Sequence, residues 1–300
     1  MALFKVQNSA RISAQMVAIE TPRHFLLNGL LLGPARPQTI YIYLHGLSST
    51  LFSQKELTTS LVSADTSVLV FDNRGSGIIS RVPRLNARLA KGYKTHLIGA
   101  VHEIFTDCVD DLDGAVLFAR RQGVKRIFLV GHSTGCQKSI YYLAKRPSSA
   151  VKGAVLLAPM SDFADVDTSS VAYQRALSLA HKLVKAGKKH ELLPLTVWPR
   201  LVDAQRFLSL HTPGSIEEIF SYATGRRPVL LEKVNKPLFV LLAEQDEFRD
   251  RPIKEIAAWF KTALNKKRAE VGIIKGVRHH FFPQQAAVRK LIIGWAKKIN

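Results

Sequence analysis

The chain has 300 residues, 47% of them hydrophobic, and 43 lysines and arginines against 23 aspartates and glutamates, a formal charge of +20. A globular chain of this length buries about three quarters of its unfolded surface, so its core needs no covalent or metal staples. No run approaches the ~20 apolar residues of a membrane span, and two cysteines, Cys108 and Cys136, make neither a disulfide framework nor a metal pattern. Met1–Val6 lacks the basic start and long apolar region of a signal peptide, and a soluble protein of the reducing cytoplasm is expected. The positive field favours anionic partners. Its basic residues are dispersed, with small clusters at Arg81–Lys91, Lys182–Lys189 and Lys266–Arg268. No nucleic-acid motif accompanies them, so the expectation is a solvated basic surface and no nucleic-acid binding.

In chain order, antiparallel strands are expected over Arg11–Ile19 and Phe25–Leu32, the latter turned or bulged at Asn28-Gly29, then over Thr39–Leu44, which ends at His45-Gly46. Phe52–Ala64 reads as a helix, Ser67–Phe71 as a buried strand ending at Asp72-x-Arg74-Gly75-x-Gly77, and Glu103–Gln122 as an amphipathic helix. The acidic stretch Asp107–Asp113 is read as carboxylates favoured by a helix N-terminus, not as a metal cluster. Strands follow at Ile127–Val130, Gly153–Leu157, Pro237–Ala243 and Glu270–Ile274, with helices at Cys136–Lys145, Pro252–Leu264 and a C-terminal stretch to Lys298. This alternation argues a mostly parallel sheet covered on both faces.

Ser161 to Asn235 breaks the pattern: about 75 residues contain no convincing strand, though Tyr173, Ala176, Leu177, Ala180 and Val184 mark a helix closed by Gly187. An unstructured loop of that length is improbable in a compact domain. The expected organisation is a core of residues 1–160 and 236–300 with a mainly helical cap at 161–235. Its basic face and its aromatics Trp198 and Phe207 are read as solvated surface and cap core respectively.

Gly131-His132-Ser133-Thr134-Gly135 lies between an expected strand and an expected helix, the setting of a nucleophile elbow. A serine hydroxyl needs a base, usually a histidine oriented by a carboxylate. In a parallel sheet such groups gather at strand C-terminal ends. Asp246 follows Pro237–Ala243, preferred there over Glu244, Glu247 and Asp250, with Asp162 a rarer placement. His279 follows Glu270–Ile274 and is preferred over His280. The oxyanion of acyl transfer needs two donors, expected from the backbone N–H groups of Thr134 and Leu47. His45 and His132 are read as structural, and Cys136 as a buried thiol.

With these residues in place, the chain resembles the α/β-hydrolase superfamily along nearly its whole length, through His45-Gly46, Asp72-x-Arg74-Gly75-x-Gly77, Gly131–Gly135, Asp246 and His279. The resemblance implies an eight-stranded, mostly parallel sheet with a cap after strand six. A narrower likeness links His132–Gln137, Tyr141-Tyr142, Ala158–Asp162, Arg206-Phe-x-Ser-Leu210 and Phe220-Ser221 to the branch that includes fungal siderophore esterases, which would imply a polar, multi-ester substrate. The chain departs from that branch at the oxyanion loop, where His45-Gly46 stands for a Gly-Gly element. The activity expected is that of a serine carboxylesterase on a small-molecule ester, working through an acyl-enzyme with no metal or cofactor. Its rivals are a lipase or thioesterase, a serine peptidase or amidase, and a non-catalytic ligand-binding protein on the same scaffold.

Overall fold

The computed structural model describes residues 12–164, 166–264 and 269–299. The expectations that fall on Met1–Val6, Arg11 and Lys266–Arg268 lie outside them. Eight strands, β1 (Ala14–Glu20), β2 (Leu26–Leu32), β3 (Thr39–Leu44), β4 (Thr66–Phe71), β7 (Arg126–His132), β8 (Val151–Leu157), β9 (Leu238–Ala243) and β10 (Ala269–Ile274), make one sheet. A further pair, β5 (Ser80–Leu85) and β6 (Tyr93–Ile98), makes a separate ribbon. The large sheet runs β1-β2-β4-β3-β7-β8-β9-β10, antiparallel at β1/β2/β4 and parallel from β4 onward.

Alternation along the central strands loads both faces. Ile40 and Ile42 of β3 point into the cluster holding Leu112 and Val116 of α2 (Cys108–Arg121), Ile140 of α3 (Thr134–Lys145) and Ile256 and Phe260 of α7 (Ile253–Ala263). Tyr41 and Tyr43 point the other way, onto Leu57 of α1 (Lys55–Ser60) and Val288, Ile292 and Trp295 of α8 (Gln285–Lys297). Each fully buried aliphatic or aromatic side chain here contributes about 1.5–3 kcal/mol. Strands covered on both faces have no polar side, which is why they read as continuous apolar runs.

Four details differ from expectation. The first reversal falls at Thr21–Phe25, where the Thr21 N–H donates to the Phe25 carbonyl (2.9 Å), while Asn28 and Gly29 lie in mid-strand opposite Ala18 and Val17. The helix expected over Phe52–Ala64 is only α1, and the basic cluster Arg81–Lys91, for which no strand is expected, lies in the ribbon at 80–98. The Asp107–Asp113 carboxylates do more than face a helix end: Asp107, Asp110 and Asp111 surround the buried Arg74 guanidinium at 3.3, 2.8 and 2.6 Å.

Between β8 and β9, the sixth and seventh strands of the large sheet, lie α4 (Val171–Lys185), α5 (Ala204–His211) and the short α6 (Val229–Glu232). Ser170 and Asp203 cap α4 and α5 by accepting from the backbone N–H groups of Tyr173 and Arg206. Gly187 takes the expected left-handed conformation (φ 77°) just past α4. Tyr173, Ala176, Ala180 and Phe207 form the middle of a separate small apolar cluster, with the Trp198 ring edge-on to Phe207 at 5.1 Å. Lys182, Lys185, Lys188 and Lys189 face outward. Among the described residues no helix is long and apolar enough to cross a membrane.

Candidate active site

The strand registers bring Leu44 level with Gly131, His132 with Leu157, and Leu157 with Leu241, so the exits of β3, β7, β8 and β9 open on one edge. Ser133 sits there between β7 and α3 with φ 54° and ψ −126°. A non-glycine residue holds such a conformation only where its surroundings impose it, at a cost of about 1–3 kcal/mol. The surroundings are close. A Cβ on Gly131 would lie 2.4 Å from the Gly135 carbonyl oxygen, and one on Gly135 2.2 Å from that of Leu44. The turn is pinned further by the Ser133 N–H donating to the Leu157 carbonyl (3.0 Å). Cys136 is buried below it, and burial pushes its thiol well above the ordinary range, as expected of an inert residue.

Asp246 and His279 are both buried and joined by a 2.8 Å contact from His279 Nδ1 to Asp246 Oδ2. With the carboxylate ionised, Nδ1 carries the hydrogen and Nε2 is left with a free lone pair. The other Asp246 oxygen accepts from the Phe248 N–H (3.0 Å), and the Phe248 ring stands edge-on to His279 at 4.8 Å. The neighbouring acids have other work: Glu244 accepts from the Gly276 N–H (2.8 Å), Asp250 pairs with Arg251 (2.7 Å), and Asp162 accepts from Gln137 (3.0 Å). Glu247 accepts from the His279 N–H (3.0 Å). Against burial, which raises it, this bond and the Arg278 charge hold the Glu247 carboxyl below its usual range. His280 is exposed and meets Gln54.

His132 ties the serine turn to the histidine loop. Its Nε2–H donates to the His279 carbonyl (3.0 Å), and the two rings lie 4.8 Å apart. Burial, then the adjacent His279, drives the His132 imidazole down to about 3, so it is neutral and structural. On the other side, Gly46 presses on Ser133: a Cβ there would lie 3.0 Å from Ser133 Cβ and 3.5 Å from its Oγ. Leu47 follows on that loop, 40% exposed, and Thr134 opens α3, buried, its hydroxyl without a partner among the described residues. His45 beneath them is wholly buried, with Nδ1 2.9 Å from the Gly46 carbonyl and Nε2 3.1 Å from Asn73 Nδ2. Burial and the Lys138 charge lower it to about 4, leaving a neutral prop for the loop.

From His45 a buried polar chain, absent from the sequence reading, runs to the helices between β8 and β9. Asn73 accepts from Lys138 Nζ (3.0 Å), which pairs with Glu103 (2.6 Å). Glu103 in turn meets Arg206 of α5 (2.8 Å), which pairs with Glu217. Against the cost of burial, Lys138 and Arg206 hold the Glu103 carboxyl at about 2. A Cβ on Gly75 would lie 2.2 Å from Glu103 Oε1, so the second glycine-flanked motif makes room for this carboxylate.

A family model described as a protein of unknown function (DUF1749) matches residues 92–295. The chain belongs to that family. A search of curated proteins gives no match. Among solved structures, the α/β hydrolase GrgF from Penicillium sp. sh18 superposes with a TM-score of 0.66 at 16% identity, covering 96% of this chain and 99% of that one. The Pyrococcus furiosus esterase Pf2001 gives 0.58 at 15% identity, covering 96% and 92%. A Paleococcus ferrophilus monoacylglycerol lipase gives 0.58 at 17%, covering 90% and 98%. With the strand order and the elbow, these likenesses make this DUF1749 member an α/β-hydrolase fold. The residues that carried the narrower likeness lie inside it: Tyr141, Tyr142, Arg206, Phe207, Leu210 and Phe220 are buried, Ser209 donates to Glu217 (2.7 Å), and Ser221 donates to the Arg226 carbonyl (2.6 Å). They build the interior of this family member.

Proposed function

We propose that the chain is a serine hydrolase that cleaves carboxylic esters through an acyl-enzyme. The observation that carries the reading is the buried Asp246–His279 pair on loops beside a strained Ser133, with His132 joining the two. Ser133 Oγ attacks the ester carbonyl carbon while His279 Nε2 takes its proton, and Asp246 steadies the imidazolium that forms. The Leu47 and Thr134 backbone N–H groups hold the oxyanion, each worth about 2.7–4 kcal/mol in the transition state. Collapse expels the alcohol, protonated by His279. Water, deprotonated by the same imidazole, then attacks the acyl carbonyl, releasing the acid and restoring Ser133.

Residues 161–235 serve in this reading as the cap over the strand exits, and the two free, buried cysteines suit a cytoplasmic setting. Phe248, 43% exposed against the His279 ring, and Leu47, 40% exposed and next to the Gly46 that meets Ser133, favour an ester with a hydrocarbon acyl part. A panel of esters of graded chain length, matched thioesters and amides, and a hydroxamate multi-ester, run on wild type and Ser133→Ala, tests the reading. Turnover and labelling by a fluorophosphonate probe are expected only with Ser133 present. Long-chain preference would point to a lipid ester and faster thioester cleavage to a thioesterase. Turnover retained by Ser133→Ala would overturn the assignment, and an unlabelled wild type would revive a binding role.

A further inference from the structure

His102, His190 and Asp203 come from three segments and meet at one carboxylate oxygen. His102 Nδ1 lies 3.0 Å and His190 Nδ1 2.8 Å from Asp203 Oδ2, and the three groups offer ligand atoms within 4.8 Å of one another. Asp203 is fully buried, His102 is 9% exposed at its side chain and His190 46%. An N-cap aspartate needs one oxygen for its helix, and here Oδ1 does that by accepting from the Arg206 N–H (2.7 Å). The other oxygen is left to two imidazoles.

The frame that holds them is rigid. The Asp203 N–H donates to the Val101 carbonyl, next to His102 (3.1 Å), while Ala204 and Gln205 donate to the carbonyls of Glu191 and Lys189 on either side of His190 (3.0 and 2.9 Å). The residues flanking each histidine are thus bonded to the residues at the aspartate.

We propose that His102, His190 and Asp203 bind a divalent transition-metal ion of the zinc type and so clamp the segment between β8 and β9 to the loop after β6. Two imidazoles and a carboxylate match the ligand preference of zinc, cobalt and nickel. Metal–ligand distances of about 2.0–2.2 Å put the observed N···O separations at roughly 85–90° around the ion. A small inward rotation of the half-exposed His190 ring completes the set, and its solvent side leaves room for water as a further ligand. In the bound state each ring carries its hydrogen on Nε2 and offers the Nδ1 lone pair, and Asp203 binds as its carboxylate.

The test uses the whole chain stripped with a chelator and then titrated with Zn²⁺ or Co²⁺. One equivalent per chain is expected, with a Tm that rises with metal concentration and visible Co²⁺ absorption. His190→Ala, at an exposed position, and the pair His102→Ala/His190→Ala should weaken binding by at least about tenfold, whereas the exposed His181→Ala should not. No uptake by the stripped protein, or equal affinity in the double variant, would overturn the site and leave the cluster a hydrogen-bonded cap. Ester turnover is not the readout, so this result stands apart from the assignment of Ser133.

Discussion

The large sheet and the helices between β8 and β9 are fixed by different forces. In the sheet, strands such as Leu238–Ala243 are buried throughout and sandwiched between two extensive apolar clusters. The 161–235 region has a cluster of seven buried apolar residues, three of them alanine. The rest of it is tied down by Ile219, Phe220, Tyr222 and Leu231, which enter the sheet's own apolar cluster, and by charge: Arg206, fully buried, between Glu217 and Glu103, with Asp203 gripping two histidines nearby. Apolar area tolerates trimming by degrees. A buried ion pair does not, because removing one partner strands the other.

That contrast can be broken from either side. The largest effect belongs to the strand exits. Ser133→Ala should lower kcat on an ester by about 10⁵–10⁶-fold with an unchanged Tm, as a comparison of turnover and thermal melts would show. Asp246→Asn should cost about 10⁴-fold by leaving His279 in the wrong tautomer, read from kcat at fixed pH. On the other side, Arg206→Ala should destabilise the fold by about 3–5 kcal/mol in chemical denaturation, where an exposed arginine such as Arg227 should cost little.

A smaller effect follows from pH. His45 and His132 are held at about 4 and about 3, and burial, reinforced by arginines, lowers His211 in α5 to about 4. Below the ordinary imidazole value of 6.5 the unfolded chain takes up protons that the folded chain refuses. The contribution of these three imidazoles should therefore fall as pH drops from 6.5 toward 4, by about 1.4 kcal/mol per pH unit for each, against the opposite contribution of Asp111 and Glu218, whose carboxyls burial raises to about 6 and about 7. His132→Gln, which can still donate to the His279 carbonyl, should flatten that slope in denaturant midpoints. Smallest is Thr134→Val, which removes a buried hydroxyl without a partner among the described residues and should change stability by about 1 kcal/mol or less, toward greater stability.

Sequence and structure agree where the signal is local. The elbow is five consecutive residues whose glycines, strand and helix all adjoin, and Thr39–Leu44 is bounded as expected because its β-branched and aromatic run is buried on both faces. Asp246 and His279 are legible because each lies a few residues past an apolar strand. The ribbon at 80–98 is not, since Pro83 interrupts one strand and Arg81, Arg84 and Lys94 mask its alternation. The Lys138–Glu103–Arg206–Glu217 chain is hidden for a different reason. Charged residues on a helix read as solvated surface, and the Arg206–Glu103 contact spans about a hundred positions. A shorter separation, 33 to 37 positions, likewise conceals the carboxylates around Arg74.

The pairing of β8 with β9 closes a detour of about eighty residues. The entropy lost in closing such a detour grows only logarithmically, about 0.6 kcal/mol for each doubling of its length. Lengthening or shortening its solvent-facing stretches therefore taxes the sheet very little, provided that Arg206 keeps Glu103 and that Ile219, Phe220, Tyr222 and Leu231 stay in the apolar cluster. Variation in the length of that segment is therefore a practical way to change the surroundings of Ser133, Asp246 and His279 while the sheet that carries them is kept.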